Sequence, residues 1–295
     1  MKEILASLLI LSTIFARVAG AQDTLQTGFE VIAQIPEARR LAIDPEGLIY
    51  VVSASELLQL DHLGDVRARL DGTNAGVFGE LSDVDPGNGL IWVLADAEKG
   101  NLFRFSKELL HLETIRVPRN TDRELGNSPR LDLQGGFSTA LGQPISVATG
   151  VAGELFAIDA SSQRVLKWDA SRRLERVIGD FGSGTGQLAE PISLAADASS
   201  LYVADRVLGL VKVYDYFGGH VRNLKARSDL NSITVTQEGL WIIFPQSIWI
   251  YSHQGILSRQ MVIPLDDPLV AAVPVSNYII LLSDGQLVKA YMQAQ

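Results

Sequence analysis

The sequence feature that most constrains the fold is a unit that occurs six times, mostly at a spacing of about 40 residues. Each unit contains a short apolar run with one large marker residue at the same place in the pattern. The six markers are Tyr50, Trp92, Phe156, Tyr202, Trp241 and Ile280. Short β-branched and aromatic runs bounded by glycine, aspartate and serine are typical of strands. A repeat of this length predicts a ring of four-stranded sheets.

The unit at residues 181–218 shows the pattern most clearly. Gly182, Gly184 and Gly186 form its opening turn, and an apolar run begins at Pro191. The runs Leu-Tyr-Val-Ala-Asp and Val-Lys-Val-Tyr-Asp follow, and a glycine closes the unit. This order of residues resembles the NHL repeat, which is one blade of a β-propeller. The resemblance implies that the chain is an all-β, six-bladed β-propeller, although the sixth unit departs from the pattern most.

The last unit predicts how the ring closes. It contains a third strand at residues 287–291 but no fourth strand after it, whereas residues 29–35 form a spare alternating segment before the first unit. We expect this amino-terminal strand to pair with residues 287–291 and complete the last blade. Such pairing removes the open sheet edges that otherwise promote association between chains.

One spacing in the repeat is longer than the others. Between the second and third markers, residues 119–141 form a polar, glycine-containing stretch without clear periodicity. Loops of this length inside a compact domain are usually functional or disordered. We therefore expect a single propeller domain at residues 22–295, with residues 119–141 inserted at its ligand-facing rim.

The first residues have the pattern of a secretory signal. Lys2 is followed by an apolar run at residues 4–15, which is short for a membrane span, and then by Ala-Gly-Ala at residues 19–21. We expect residues 1–21 to be a signal peptide, with an uncleaved membrane anchor as the second interpretation. The protein is then exported, to the periplasm or the medium, and contacts a membrane only through this segment.

Composition limits the classes of partner and chemistry. The formal net charge is −9, and no basic cluster is present, which argues against a nucleic-acid partner. The chain contains no cysteine, so disulfides, thiolate catalysis and cysteine-based zinc sites are excluded.

Motifs for catalysis and metal binding are absent from the sequence. The four histidines, His62, His111, His220 and His253, show no paired metal-ligand spacing, and no Gly-x-Ser-x-Gly elbow or phosphate-binding loop occurs. Aspartates at the ends of second strands, such as Asp159 and Asp205, are expected to bond the backbone of the following turn. We therefore assign no catalytic residue and no metal ligand, and expect no cofactor.

The leading hypothesis is an exported, non-catalytic binding module or scaffold. NHL-type propellers are chiefly interaction modules, and a few relatives are enzymes, so the fold alone does not decide. Its partner would be a protein, peptide or glycan of the cell envelope, and the chain would act as a monomer or as a subunit of an envelope complex. Arginine and aromatic side chains are frequent anchors at such rims. The candidate ligand-binding residues are Arg39, Arg40, Arg119, Arg130, Phe137, Arg206 and Gln246.

The alternative hypothesis is a metal-assisted hydrolase or lyase. Some six-bladed propellers of the lactonase and amidating-lyase types hold a metal in the central channel with side chains from several blades, and the resemblance leaves a divalent cation open here. The polar residues near the ends of the predicted inner strands are Asp44, Asp85, Asp197 and Asn231.

Overall fold

Every regular element that the structure describes is a β-strand, as the all-β prediction requires. The structure is a computed structural model, and it describes residues 22–24, 28–53, 56–71, 79–87, 91–94, 99–118 and 142–291. The predicted signal peptide and the insertion at residues 119–141 lie outside these ranges. Within them, no helix has the length and hydrophobicity needed to span a bilayer.

The described strands form six sheets, of which five have four strands and one has five. Sheet 1 contains β3 (Arg40–Ile43), β4 (Ile49–Val52), β5 (Glu56–Leu60) and β6 (Val66–Asp71). Sheet 2 contains β7 (Val84–Asp85), β8 (Ile91–Leu94), β9 (Asn101–Phe105) and β10 (His111–Arg116). Sheet 3 contains β11 (Pro144–Thr149), β12 (Leu155–Asp159), β13 (Arg164–Trp168) and β14 (Leu174–Ile178). Sheet 4 contains β15 (Pro191–Ala196), β16 (Ser200–Asp205), β17 (Leu210–Asp215) and β18 (His220–Lys225). Sheet 5 contains β19 (Ser232–Thr236), β20 (Gly239–Phe244), β21 (Ser247–Tyr251), β22 (Leu257–Val262) and β1 (Gln22–Thr24). Sheet 6 contains β23 (Leu269–Val275), β24 (Tyr278–Ser283), β25 (Gln286–Tyr291) and β2 (Phe29–Gln34).

The predicted closure of the last sheet by an amino-terminal strand is confirmed. Strand β2 pairs antiparallel with β25, and Val31 lies opposite Val288. The connection continues past the strand, where the Ile35 N–H donates a 2.6 Å hydrogen bond to the Gly285 carbonyl. Sheet 6 is therefore built from both ends of the described chain.

Strand β1 is an element that the repeat pattern did not predict. It runs parallel to β22 at the outer edge of sheet 5, with Asp23 opposite Met261. Three residues are too few to show an alternating pattern, so the sequence carries no signal for this strand. Strand β1 pairs with β22 of sheet 5 and strand β2 pairs with β25 of sheet 6, so the edges of two adjacent sheets are covered, which limits edge-to-edge association.

The first strands of the sheets form a closed ring. Each packs against the first strand of the next sheet, and β23 packs against β3. The apolar core is divided among six clusters of described residues, each between two neighbouring sheets. Five of the six markers, Tyr50, Phe156, Tyr202, Trp241 and Ile280, are buried in these interfaces. The repeat therefore encodes the surfaces that join one sheet to the next.

The predicted role of the strand-end aspartates is confirmed for Asp159 and Asp205. Asp159 Oδ1 accepts hydrogen bonds from the N–H groups of Ser161 and Gln143, and Asp205 Oδ1 accepts from Leu208 and Glu190. These carboxylates bond backbone donors of turns and loops that strand ladders leave unpaired.

The closing strand yields a stability prediction. A chain that begins at residue 36 lacks β2 and Ile35, which is buried, and leaves β25 as an open edge. We expect a loss of at least about 3 kcal/mol, or a fall in Tm of roughly 6–12 °C. A chain that begins at residue 28 retains β2 and serves as the matched control. Thermal unfolding followed by circular dichroism compares the two, and equal Tm values would contradict the closure.

Candidate functional site

The main functional candidate in the described structure is the channel enclosed by the first strands. It contains a cavity of about 210 Å³ that is lined by residues of β3, β7, β11, β15, β19 and β23. Much of the wall is formed by small side chains, namely Ala42, Ala148, Ala195, Ala196, Ala271 and Ala272. Small residues on converging strands leave space at the centre of the ring. Because drug-sized pockets measure roughly 300–1,000 Å³, this cavity suits a small ligand.

Six equivalent positions at one level of this channel form what we call the channel ring. Each position pairs with, or in sheet 2 lies level with, the residue two places after the marker of its own sheet. The channel ring consists of Arg40, Asp83, Ser146, Ser193, Ser232 and Ala271. Three positions are therefore serines, and two adjacent positions carry opposite charges.

Side chains of the channel ring join neighbouring sheets through hydrogen bonds. Ser146 Oγ donates to Asp83 Oδ2 at 2.6 Å and accepts from the Leu194 N–H at 3.0 Å. Ser193 Oγ accepts from the Ile233 N–H at 3.2 Å, and Ser232 Oγ donates to the Val270 carbonyl at 2.8 Å. These contacts run from sheet 2 to sheet 6 and satisfy groups of the first strands that face away from their own sheet.

Asp83 supplies the carboxyl group of the channel ring, and this group is buried. Its side chain is 11% exposed, and Oδ2 accepts hydrogen bonds from Ser146 Oγ and from the Val147 N–H at 2.9 Å. Among the described residues, Oδ1 accepts one hydrogen bond, from the Val84 N–H at 2.9 Å. Burial raises the pKa of Asp83, and the nearby Arg40 guanidinium opposes this increase.

Asp85 lies two residues further along the same strand and also lines the cavity. Its Oδ2 accepts from the Thr149 N–H at 2.6 Å and from Thr149 Oγ1 at 3.1 Å, and its Oδ1 accepts from the Gly87 N–H at 2.9 Å. Burial raises the pKa of this carboxyl group as well. Sheet 2 therefore contributes two carboxyl groups with raised pKa values to one wall of the channel.

Arg40 reaches from one side of the channel toward the other. It begins β3, and its Nη2 lies 3.5 Å from the carbonyl oxygen of Ile192 in β15. Its Nε lies 3.7 Å from Asp83 Oδ1, which is an ion pair but longer than a hydrogen bond. Nη1 donates to the carbonyl of Arg39 at 3.0 Å, whereas Nε is buried and has no hydrogen-bond partner in the described structure.

The other predicted rim residues that the structure describes do not share this site. Arg39 forms an ion pair with Glu80, and Arg206 lies 3.5 Å from Glu190. Gln246 is exposed in the turn between β20 and β21. Arg119, Arg130 and Phe137 lie outside the described residues. Of the seven predicted ligand-binding residues, Arg40 is the one that the structure places in the cavity wall, inside the channel rather than at its rim.

The four polar residues proposed for the inner strands have separate roles. Asp44 and Asp197 accept hydrogen bonds from the N–H groups of Glu46 and Ser199 in their turns, and Tyr50 and Tyr202 donate to them. Asn231 Nδ2 donates to the carbonyl of Leu269 at 2.5 Å. Asp85 alone among the four lines the cavity.

The sequence analysis missed Asp83, although a signal for it exists. Asp83 lies one residue before Val84, which pairs with Val93, so it is level with the serines of the other inner strands. Counting back from Trp92 in register with the other units places Asp83 at a channel position. Selection of polar residues by their distance from the ends of the inner strands identifies Asp85 but not Asp83.

The described residues do not fit a divalent cation. No group of three His, Asp or Glu side chains in the described ranges could hold a metal. Asp83 and Asp85 already accept protein hydrogen bonds, and the Arg40 guanidinium beside Asp83 repels a cation. Three of the histidines are exposed and lie apart: His62 and His253 are in turns, and His111 is in the outer strand β10. The described residues therefore provide no site for a metal-assisted step.

Sheets arranged around a channel lined by their first strands define a β-propeller. No protein-family model and no curated protein matches the sequence. Among solved structures, the chain is similar to a streptogramin B lyase, with 13% identity over 93% of this chain and 90% of that one and a TM-score of 0.61. It is similar to a catalytically inactive virginiamycin B lyase from Staphylococcus aureus, with 9% identity over 91% of this chain and 100% of that one and a TM-score of 0.60. It is also similar to a gluconolactonase from Xanthomonas campestris, with 13% identity over 94% of this chain and 96% of that one and a TM-score of 0.66.

These three likenesses establish the fold and no more. They confirm the predicted β-propeller class. The descriptions of all three neighbours name an enzyme. The NHL resemblance concerns the sequence of single units and is a finer statement than these comparisons support.

The raised pKa of Asp83 predicts how stability depends on pH. The folded protein keeps a proton on this carboxyl group at pH values where the unfolded chain has lost it. Its contribution to stability is therefore complete below the unfolded pKa and is lost as pH rises through the folded pKa. We expect the wild-type protein to lose stability relative to Asp83→Asn above about pH 4, by up to about 1.4 kcal/mol per pH unit.

Urea unfolding of both proteins between about pH 2 and pH 8 measures this difference, and the lower end of this range includes the titration of Asp169. Asp169→Asn provides a contrast of opposite sign, because hydrogen bonds from Arg173 lower the pKa of Asp169. Wild-type stability should gain on this variant as pH rises through the folded pKa. Parallel pH profiles for wild type and Asp83→Asn would contradict the assignment.

Proposed function

We propose that the protein is an enzyme of the hydrolase or lyase class, and that it binds a small polar substrate in the channel between its sheets. The observation that carries the proposal is a buried carboxyl group, Asp83, with a raised pKa, next to a guanidinium in the wall of a cavity. Titratable groups with perturbed pKa values in a concave site are frequent at active sites.

One oxygen of Asp83 has the capacity to act on a substrate. Oδ2 accepts two hydrogen bonds from the protein, whereas Oδ1 accepts one. A carboxylate oxygen accepts about two hydrogen bonds, so one position on Oδ1 is available. With its raised pKa, Asp83 would hold a proton at Oδ1 that it exchanges with the substrate, which is the step that acid–base catalysis requires. The hydrogen bonds to Oδ2 fix the orientation of the group.

The comparisons support an enzyme more than a passive scaffold. The similar structures include two lyases and a gluconolactonase. An identity of 9–14% leaves the substrate of this chain undefined. We propose that Asp83 and Asp85 supply acid–base chemistry and that Arg40 contacts the substrate, with no metal among the described groups.

Binding of a protein, peptide or glycan at the rim stays a second proposal. Its residues in the described part, Arg39, Arg206 and Gln246, are spread over separate turns, and the two arginines are in ion pairs. We also infer that the six sheets are the blades of one NHL-like propeller, in which sheet 5 carries an additional strand. On the sequence alone, we propose export by the signal at residues 1–21.

An activity screen of the purified protein tests the enzyme proposal. Small lactones and esters are offered as substrates, proton release reports hydrolysis, and ultraviolet absorbance reports elimination. We expect turnover of at least one compound and a decrease of about 10²- to 10⁴-fold in kcat/KM for Asp83→Asn, because the variant carries no exchangeable carboxyl proton.

The matched control is Asp215→Asn, which changes a turn carboxylate outside the cavity lining and should keep full activity. If Asp83→Asn fails to fold, the pH–rate profile of the wild-type protein decides, since it should show a group with a pKa above the usual range of aspartate. Activity that survives in folded Asp83→Asn would overturn the role of this residue. A screen without turnover would favour binding at the rim.

A further inference from the structure

Arg40 stands out because its charge and its spare donors face a cavity. Among the described residues that line the cavity, it is the single positively charged side chain. The wall beyond it is built largely from alanine and other small apolar residues. A ligand in this channel would therefore meet one cationic group at the level of the channel ring and a compact apolar space beyond.

One edge of the Arg40 guanidinium is nearly unused. In arginine, the Nε–H and one Nη2–H point in the same direction and form a fork that matches the two oxygens of a carboxylate. Nε has no hydrogen-bond partner in the described structure, and Nη2 has only a 3.5 Å contact with the Ile192 carbonyl. The opposite nitrogen, Nη1, is held by the Arg39 carbonyl at 3.0 Å. The side chain is thus anchored on one side and available on the other.

The same edge faces the group to which we assign acid–base chemistry. Asp83 Oδ1, the oxygen with spare capacity, lies 3.7 Å from Nε. A ligand held by the fork would lie next to this oxygen. Arg40 also extends from sheet 1 toward sheet 4, where its Nη2 has a contact of 3.5 Å with the Ile192 carbonyl.

We propose that Arg40 determines the specificity of the channel by binding a carboxylate of the substrate through Nε and Nη2, in exchange for its contact with the Ile192 carbonyl. This inference rests on the proposed function, because it names the substrate class of the same site: a small organic acid or ester with a free carboxylate and a compact apolar part. Ser193 and Ser232, which also line the cavity, lie at the same level of the channel ring.

The test uses carboxylate binding, which does not require turnover. Acetate and propionate are titrated into the full-length protein, with acetamide as the uncharged probe and inorganic phosphate as the other anion. The Arg40 Nε–H resonance is assigned by comparison with Arg40→Lys. We expect a downfield proton shift of this resonance with acetate and propionate, and no shift with acetamide.

Variants separate charge from geometry. We expect the Kd for propionate to rise at least tenfold in Arg40→Met, and several-fold in Arg40→Lys, which keeps the charge but lacks the fork. Arg173→Met, which removes an exposed arginine outside the cavity lining, should bind propionate like wild type. If Arg40→Met does not fold, Arg40→Lys and the Nε resonance decide. Equal affinity for acetamide, preference for phosphate, unchanged affinity in the Arg40 variants, or no carboxylate binding would each overturn the inference.

The outcomes distinguish this inference from the enzyme proposal. Carboxylate binding at Arg40 without turnover in the activity screen would keep the binding site and contradict the enzyme. Turnover that depends on Asp83, together with carboxylate affinity that does not depend on Arg40, would keep the enzyme and contradict the specificity assignment.

Discussion

The structure depends on hydrogen bonds that join one sheet to the next at the centre of the ring. Each first strand has a partner on one side only, so alternate backbone groups face the neighbouring sheet. Side chains of the channel ring satisfy several of these groups: Ser146 for Leu194, Ser193 for Ile233 and Asp83 for Val147. A buried donor without a partner costs about 1–3 kcal/mol, so these contacts favour one spacing and one register of the sheets.

The candidate site lies where charged residues replace the serines of the channel ring. Three positions of the channel ring use serine, which is small and neutral, whereas Asp83 and Arg40 place opposite charges at adjacent positions. Asp83 keeps the structural role, because its Oδ2 bonds sheet 3, and it lines the cavity with an Oδ1 that accepts one hydrogen bond among the described residues. Arg40 adds no strong bond to the opposite sheet, since its contact with Ile192 is 3.5 Å long. The two residues combine a scaffold contact with unused hydrogen-bonding capacity, which is what a binding site requires.

The sequence predicted the fold well and the site poorly, for a physical reason. Markers such as Trp241 and Phe156 recur because every interface between sheets needs a large apolar residue at the same place, and the alternation at residues 29–35 is sufficient to identify the closing strand β2. The site depends on which side chains converge from different sheets, and residue spacing within one unit does not report this. For this reason the sequence predicts Arg40 at the rim and gives no prediction for Asp83. It also favours Asp44 and Asp197, although these two carboxylates accept hydrogen bonds within their own turns. Strand β1 could not be predicted from the sequence, because three residues are too few to show an alternating pattern.

Amide hydrogen exchange at Val147, Leu194 and Ile233 tests the central claim most directly. These N–H groups point away from their own sheets, and we assign their protection to Asp83, Ser146 and Ser193 of the neighbouring sheets. The account predicts that they exchange as slowly as amides inside the strand ladders, and that Ser146→Ala accelerates exchange at Leu194 far more than at Ile233. Exchange of all three at the rate of exposed turn amides in the wild-type protein would contradict it.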